Sequence, residues 1–178
     1  ITFPLAAWPK VIRRQTTVDL VTQRLQEAAS PNDLIVVNPW FFGVSFNWYY
    51  HGPTRWLTVP VISDHRIHRW DLVKTKMMAP APLDDLENAM TATLESGNRV
   101  WLVGGALLLC ENEAPLQLSP APDPKFGWKN DIYEKAWSEE LGAFIQQHAL
   151  RTKVILPPGS AVNKSENVPL WVAEGWKG

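Results

Sequence analysis

The sequence predicts an α/β protein, a three-layer α/β/α sandwich on a Rossmann-like, mostly parallel sheet of about five strands. Three observations carry that expectation. Leu34–Val37 is a short, continuous, β-branched apolar run set between Pro31-Asn32-Asp33 and Asn38-Pro39, which is how a strand covered on both faces reads. Arg99–Val103 repeats the pattern and ends at Gly104-Gly105. Between such runs lie stretches whose apolar residues recur at helical spacing, so helices and strands alternate along the chain.

With 178 residues the chain suits one domain with a real core. Residues 1–14 read as an N-terminal arm and 15–178 as a single α/β domain. The arm is apolar, with Trp8, and then basic at Lys10, Arg13 and Arg14. A juxtamembrane anchor has that pattern, and so does an ordinary ragged terminus.

The first helix opens at Thr16-Thr17, where a threonine followed three residues later by Asp19 can satisfy orphan amides. Val18, Val21, Leu25 and Ala28 give it one apolar face, and Ser30-Pro31 stops it. After the first strand, Phe41–Tyr50 is too long for a tight hairpin and predicts a short helix closed by Gly52-Pro53. Arg55–Ile62 is the second strand, broken or ended by Pro60, which cannot donate to a central ladder. Strand, helix, strand at this spacing is a crossover unit, so the two strands should be parallel neighbours.

Ser63 or Asp64 then caps a helix expected over His65–Met78, interrupted by Pro80 and Pro82. Pro82 suits the first position of the next helix, where Leu83, Leu86, Met90 and Leu94 form an apolar stripe and Gly97 a C-terminal cap. Residues 106–129 show no sustained period and carry four prolines; a connection of this size is usually functional or mobile. A last helix starts at Asn130 or Asp131, with Tyr133, Trp137, Leu141, Phe144 and His148 on one side. Lys153–Leu156, a Pro157-Pro158-Gly159 turn and Val168–Ala173 complete the chain, the final two strands being close enough for an antiparallel edge pair.

In such a sheet ligands sit beyond the carboxyl ends of the strands, which places Asn38-Pro39-Trp40, Ser63-Asp64-His65, Gly104-Gly105 and Pro157-Pro158-Gly159 around one rim. The chain has no dinucleotide fingerprint or phosphate loop, so NAD and ATP binding are disfavoured and no cofactor is expected. A net charge of −1 gives no electrostatic footprint for nucleic acid. One cysteine, Cys110, excludes an internal disulfide framework and a multi-thiolate metal site. No nucleophile elbow, zinc-protease motif or paired-acid signature is present, so no residue is assigned as catalytic.

The sharpest polar cluster runs from Asp64 to Asp71. On a helix His65 and His68 would share a face with a carboxylate, a metal-binding arrangement, but Arg66 and Arg69 place positive charge beside any such cation. Those arginines equally suit an anion or sugar phosphate, or plain ion pairs with Asp64 and Asp71. Tyr50 and His51 end an aromatic row, Trp48-Tyr49-Tyr50, that can stack on a sugar face or form a buried helix face. Asn38, Trp40, Tyr50, His51, Asp64, His65, Arg66, His68 and Arg69 are therefore the candidate ligand-binding residues, with no metal ligand assigned. Asn163-Lys164-Ser165 matches a glycosylation sequon, a three-residue pattern common by chance.

Several phrases together resemble the C-terminal soluble portion of bacterial membrane glycosyltransferases similar to dolichyl-phosphate-mannose-protein mannosyltransferases. They are Thr17–Val21, Asp33–Trp40, Gly43–Phe46 with Tyr49-Tyr50, Asp64–Arg69 and Gly97–Gly104, with a weaker echo around Trp128–Trp137. The resemblance implies a polytopic protein that takes a sugar from a polyprenyl-phosphate donor, with this domain on the extracytoplasmic, periplasmic side of the membrane. In that family the catalytic acids lie in the membrane portion, so no catalytic residue carries over. Its partner would be the membrane-embedded portion of the same polypeptide, and its ligand a sugar or lipid-linked sugar. The rivals are a stand-alone α/β enzyme using the His/Asp cluster with a metal or phosphorylated substrate, and an interaction module without a small ligand.

Overall fold

A computed structural model describes residues 15–159 and 166–178. The N-terminal arm and the Asn163-Lys164-Ser165 sequon lie outside the described residues. The elements in order are α1 (Val18–Ala28), β1 (Leu34–Val37), α2 (Phe42–Tyr49), β2 (Arg55–Thr58), α3 (Trp70–Met78), α4 (Asp84–Glu95), β3 (Val100–Val103), α5 (Asn130–His148), β4 (Ala149–Leu156) and β5 (Leu170–Trp176).

All four residues of β1 and of β3 are buried, because both strands are covered on both faces. Their alternation sorts the core into two halves. Leu34, Val36, Val100, Leu102 and Ala173 pack with α3, α4 and α5. Ile35, Val37, Trp101, Val103 and Val172 pack with α1 and α2. Each such side chain contributes about 1.5–3 kcal/mol relative to leaving it in water.

The strand order is β2-β1-β3-β5-β4. β1 pairs in parallel with β2 and β3, whereas β5 pairs antiparallel with both β3 and β4. The expected mostly parallel, Rossmann-like sandwich is thereby corrected to a mixed sheet. The reason lies in the last connection. No helix among the described residues separates β4 from β5, and the chain folds back beside itself, reversing direction. β5 buries Leu170, Val172 and Ala173 and takes the interior, while β4, exposed along most of its length, takes the edge.

Several boundaries also move: β4 opens at Ala149 rather than Lys153, and β5 runs from Leu170 to Trp176 rather than from Val168 to Ala173. β2 ends at Thr58, where the Thr58 hydroxyl donates to Pro60 O at 2.8 Å and turns the chain. The helix expected over His65–Met78 begins only at Trp70, after an Arg69 with ψ of 69°. Asp64 Oδ1 accepts from the Arg66 amide at 3.1 Å, a local turn that competes with helix over 64–69.

At the amino ends of β1 and β3 sits Asp33, with a side chain 2% exposed. It accepts from Ser30 N at 2.9 Å, Arg99 N at 2.9 Å, Arg99 Nε at 3.1 Å and Trp101 Nε1 at 2.9 Å. Burial pushes its carboxyl up, but the bonds from Trp101, Arg99 and Ser30 outweigh that and hold it below the usual carboxylate range.

The 106–129 connection is strapped down rather than loose. Leu107 N donates to Ser138 O at 3.2 Å, Leu109 and Gln146 exchange two bonds of 2.9 Å, and Tyr133 donates to Ser119 O at 2.8 Å. Gly142 makes this approach possible, since a Cβ there would stand 2.0 Å from Leu107 O.

Candidate functional site

The carboxyl ends of β1, β2, β3 and β4 do lie at one end of the sheet, because two antiparallel pairings restore the direction of β4. The rim expected at those ends is nevertheless packed shut where β1 and β3 meet. Asn38, 3% exposed, donates through Nδ2 to Gly105 O at 3.0 Å and Ser138 Oγ at 2.8 Å. Trp171 lies against Gly105, and Gly104 touches the Asn38 carbonyl.

An open groove of about 440 Å³ lies instead beside the β2 edge, between α2 and the 63–69 segment. That is within the roughly 300–1,000 Å³ typical of small-molecule sites. Its walls are Val44, Ser45, Asn47, Trp48 and Tyr49 from α2, and His65 and Arg66 from the segment after β2. The helix is turned this way by its inner face. Gly43 and Phe46 are buried, with Tyr50 below them, which leaves residues 44, 45, 47 and 48 pointing outward.

His65 forms one wall because Gly43 has no side chain. A Cβ at residue 43 would stand 2.7 Å from His65 Nδ1, and the imidazole fills that space while lying on Trp56, centroids 4.5 Å apart. Burial lowers the His65 pKa, against the opposing pull of the Ile62 main chain and the Asp64 charge. The ring is thus neutral at pH 7, able to accept as well as donate.

Arg66 is fixed by Asp64, its Nε and Nη2 each 3.0 Å from a carboxylate oxygen. Arg69 reaches the same Asp64 through Nη1 at 2.9 Å and clasps Asp71 through Nε at 2.8 Å. The Arg66–Asp64–Arg69–Asp71 chain alternates in sign. Arg66 and then Arg69 hold Asp64 well below the usual carboxylate range, and Arg69 holds Asp71 at about 2. All four groups stay charged at neutral pH and brace the groove's outer lip.

The nine sequence-predicted residues divide accordingly. His65 and Arg66 line the groove, and Asp64 and Arg69 brace it. His68 leaves the groove and meets the edge of Trp40 at 5.8 Å. Trp40 is 1% exposed and donates from Nε1 to Glu134 Oε1 at 2.8 Å. Tyr50 is buried, stacked on Phe46 at 4.9 Å, and its hydroxyl accepts from Thr54 N at 3.2 Å. Asn38 ties strand ends together, and His51 is exposed outside the lining. Trp48 and Tyr49, rather than Tyr50, face the opening. The spacing of Gly43, Phe46 and Tyr50 on one helix face was the available signal for that distinction.

The two imidazoles do not converge: one lies on Trp56, the other against Trp40. Both oxygens of Asp64 are taken by guanidinium groups. Among the described residues no group of three His, Cys, Asp or Glu side chains could hold a metal ion.

A smaller cavity of about 150 Å³ lies under Leu116–Pro120, walled by Pro82, Asp84, Tyr133, Trp137 and Glu140. Burial raises the Glu140 pKa, and Glu87 and Asp84 add to it. An acid raised on folding weakens the native state once pH exceeds its unfolded value and does so fully above its folded one. Glu140→Gln is therefore expected to raise the thermal midpoint at pH 7 and to leave it nearly unchanged at about pH 3, below the ordinary Glu range. Melting curves at the two pH values check this.

Scans of family models, curated proteins and solved structures found no match to this chain.

Proposed function

We propose that this domain binds carbohydrate as the non-catalytic, extracytoplasmic accessory part of a polyprenyl-phosphate-sugar-dependent membrane glycosyltransferase. The sequence resemblance supplies the glycosyltransferase context. The observation that carries the binding role is Trp48, 76% exposed at the groove, on a helix whose opposite side is core. A large indole held in water beside Ser45, Asn47, a neutral His65 and a braced Arg66 matches what a sugar presents. One pyranose or furanose face offers C–H bonds to the ring, and the hydroxyls find donors and acceptors around it. Among the described residues no pair of acids lines the groove, which supports a domain that holds a sugar. No helix among the described residues is long and apolar enough to cross a membrane, and membrane spans belong, on this reading, to another part of the polypeptide.

Calorimetric titration with hexoses, pentoses and short oligosaccharides tests the binding role. At least one class is expected to bind, and Trp48→Ala to weaken it about tenfold, in line with loss of an aromatic contact of about 1.4 kcal/mol. The thermal midpoint should hold, because the replaced ring is exposed. Silence of every saccharide at millimolar concentration would leave the groove a protein-contact surface. The glycosyltransferase context predicts a series of apolar spans encoded ahead of Ile1, and their absence there would remove it.

A further inference from the structure

We infer that the face around the groove rests on a lipid bilayer bearing anionic headgroups, with Ile67 and Trp70 entering the interface and Trp48 at its margin. This goes beyond carbohydrate binding and stands without it.

Ile67 is 64% exposed and Trp70 50%. Single exposed apolar residues are ordinary, but these two stand on the short segment that follows Arg66, a wall of the groove that Trp48 also lines. Arg66, next to Ile67, shares the groove wall with Trp48, while Trp70 packs edge-on against Trp40 at 4.8 Å. The ion-paired chain from Arg66 to Asp71 holds the segment in place, so the apolar side chains are displayed by a braced loop.

The start of the described chain and the composition of residues 1–14 point to the occupant. Thr17 N donates to Glu166 O at 3.0 Å, and Glu166 Oε1 accepts from the hydroxyl of Ser45, a groove residue, at 2.7 Å. The first described helix therefore starts beside the groove. Residues 1–14 hold Phe3, Leu5, Trp8 and Ile12 with three basic residues and no acid, in a chain whose net charge is −1. Tryptophan with isoleucine and clustered lysine and arginine suits the headgroup zone of an anionic leaflet. There the indole sits at the boundary and each cation adds about 1 kcal/mol at the surface.

The test is co-sedimentation of the 178-residue chain with vesicles of phosphatidylcholine, with and without phosphatidylglycerol. Binding is expected to rise with the anionic lipid and fall with salt. Ile67→Glu and Trp70→Glu should each weaken it about tenfold or more, the usual worth of withdrawing one large apolar side chain. Ile67 is exposed, so the unfolding midpoint of its variant should hold, whereas Trp70→Glu also loses the contact with Trp40 and is read against the Ile67 variant. A polarity-sensitive label at Ile67→Cys in a Cys110→Ser background should shift to the blue on vesicles. The same label on native Cys110, beside α5 and outside the groove lining, should not. Undiminished binding of the two glutamate variants would assign the interaction to the arm alone and overturn the inference. So would equal behaviour of the two labels, or a dimer in vesicle-free solution that Ile67→Glu dissolves. Saccharide titrations contain no vesicles, so the two proposals fail separately.

Discussion

Asp33→Ala is expected to lower the stability of the domain by about 3 kcal/mol, at the lower end for breaking a buried ion pair because Arg99 is partly solvated. The carboxylate satisfies Ser30 N, Arg99 N and Trp101 Nε1 together, and joins the start of β1 to the start of β3. Alanine leaves those donors facing apolar surface and frees the Arg99 guanidinium, which also bonds Ala28 O at 2.8 Å. Urea unfolding should show a lower midpoint with an unchanged slope; a loss under about 1 kcal/mol would contradict the assignment. The effect also has a definite pH dependence. A carboxyl depressed on folding stabilises fully above its unfolded pKa, about 3.9, and loses that contribution as pH falls through the lower folded value. The gap between the original protein and Asp33→Ala is thus widest at neutral pH and narrows below about pH 4.

Gly104→Ala should cost about 3 kcal/mol, combining left-handed backbone strain with a steric collision. Its φ is +91°, and a Cβ would stand 1.7 Å from the Asn38 carbonyl oxygen, backbone that cannot rotate aside. Gly97 supplies the control: its φ is +77°, with nothing within 4 Å of an added Cβ. Gly97→Ala should therefore cost only the strain, about 1 kcal/mol. The difference between the two variants in the same denaturation experiment measures how tightly the ends of β1 and β3 are closed together. Equal losses would mean that the crevice yields easily and is less sealed than its hydrogen bonds indicate.

The parts of the fold that local pattern decides were legible. Leu34–Val37 and Val100–Val103 are apolar at every position because both faces are covered, and Leu86, Met90 and Leu94 mark α4 because only one face is. The parallel pairing of β1 with β2 and the antiparallel pairing of β4 with β5 were legible from their connections, but the insertion of β5 beside β3 was not, since an apolar run does not name its neighbour. The start of α3 was misread because Asp64 suits a helix cap, whereas its carboxylate bonds Arg66 and Arg69 at two- and five-residue separations that a helix does not offer. At the site, the aromatic row of α2 was visible, and the spacing of Gly43, Phe46 and Tyr50 marked one face without showing which face would dock. Tyr50 points inward because Phe46 is there to stack on, and that contact depends on how the helix docks.

The position of β5 also governs when the sheet can be completed during synthesis. Val100 pairs with Ala173 and Val103 with Leu170, partners translated well over sixty residues apart. A nascent chain that has already produced β1, β2 and β3 still presents a bare β3 edge, with apolar Trp101 and Leu102 in it, until β5 emerges. Late insertion of a central strand favours slow folding and leaves the unfinished intermediate open to mispairing or chaperone capture.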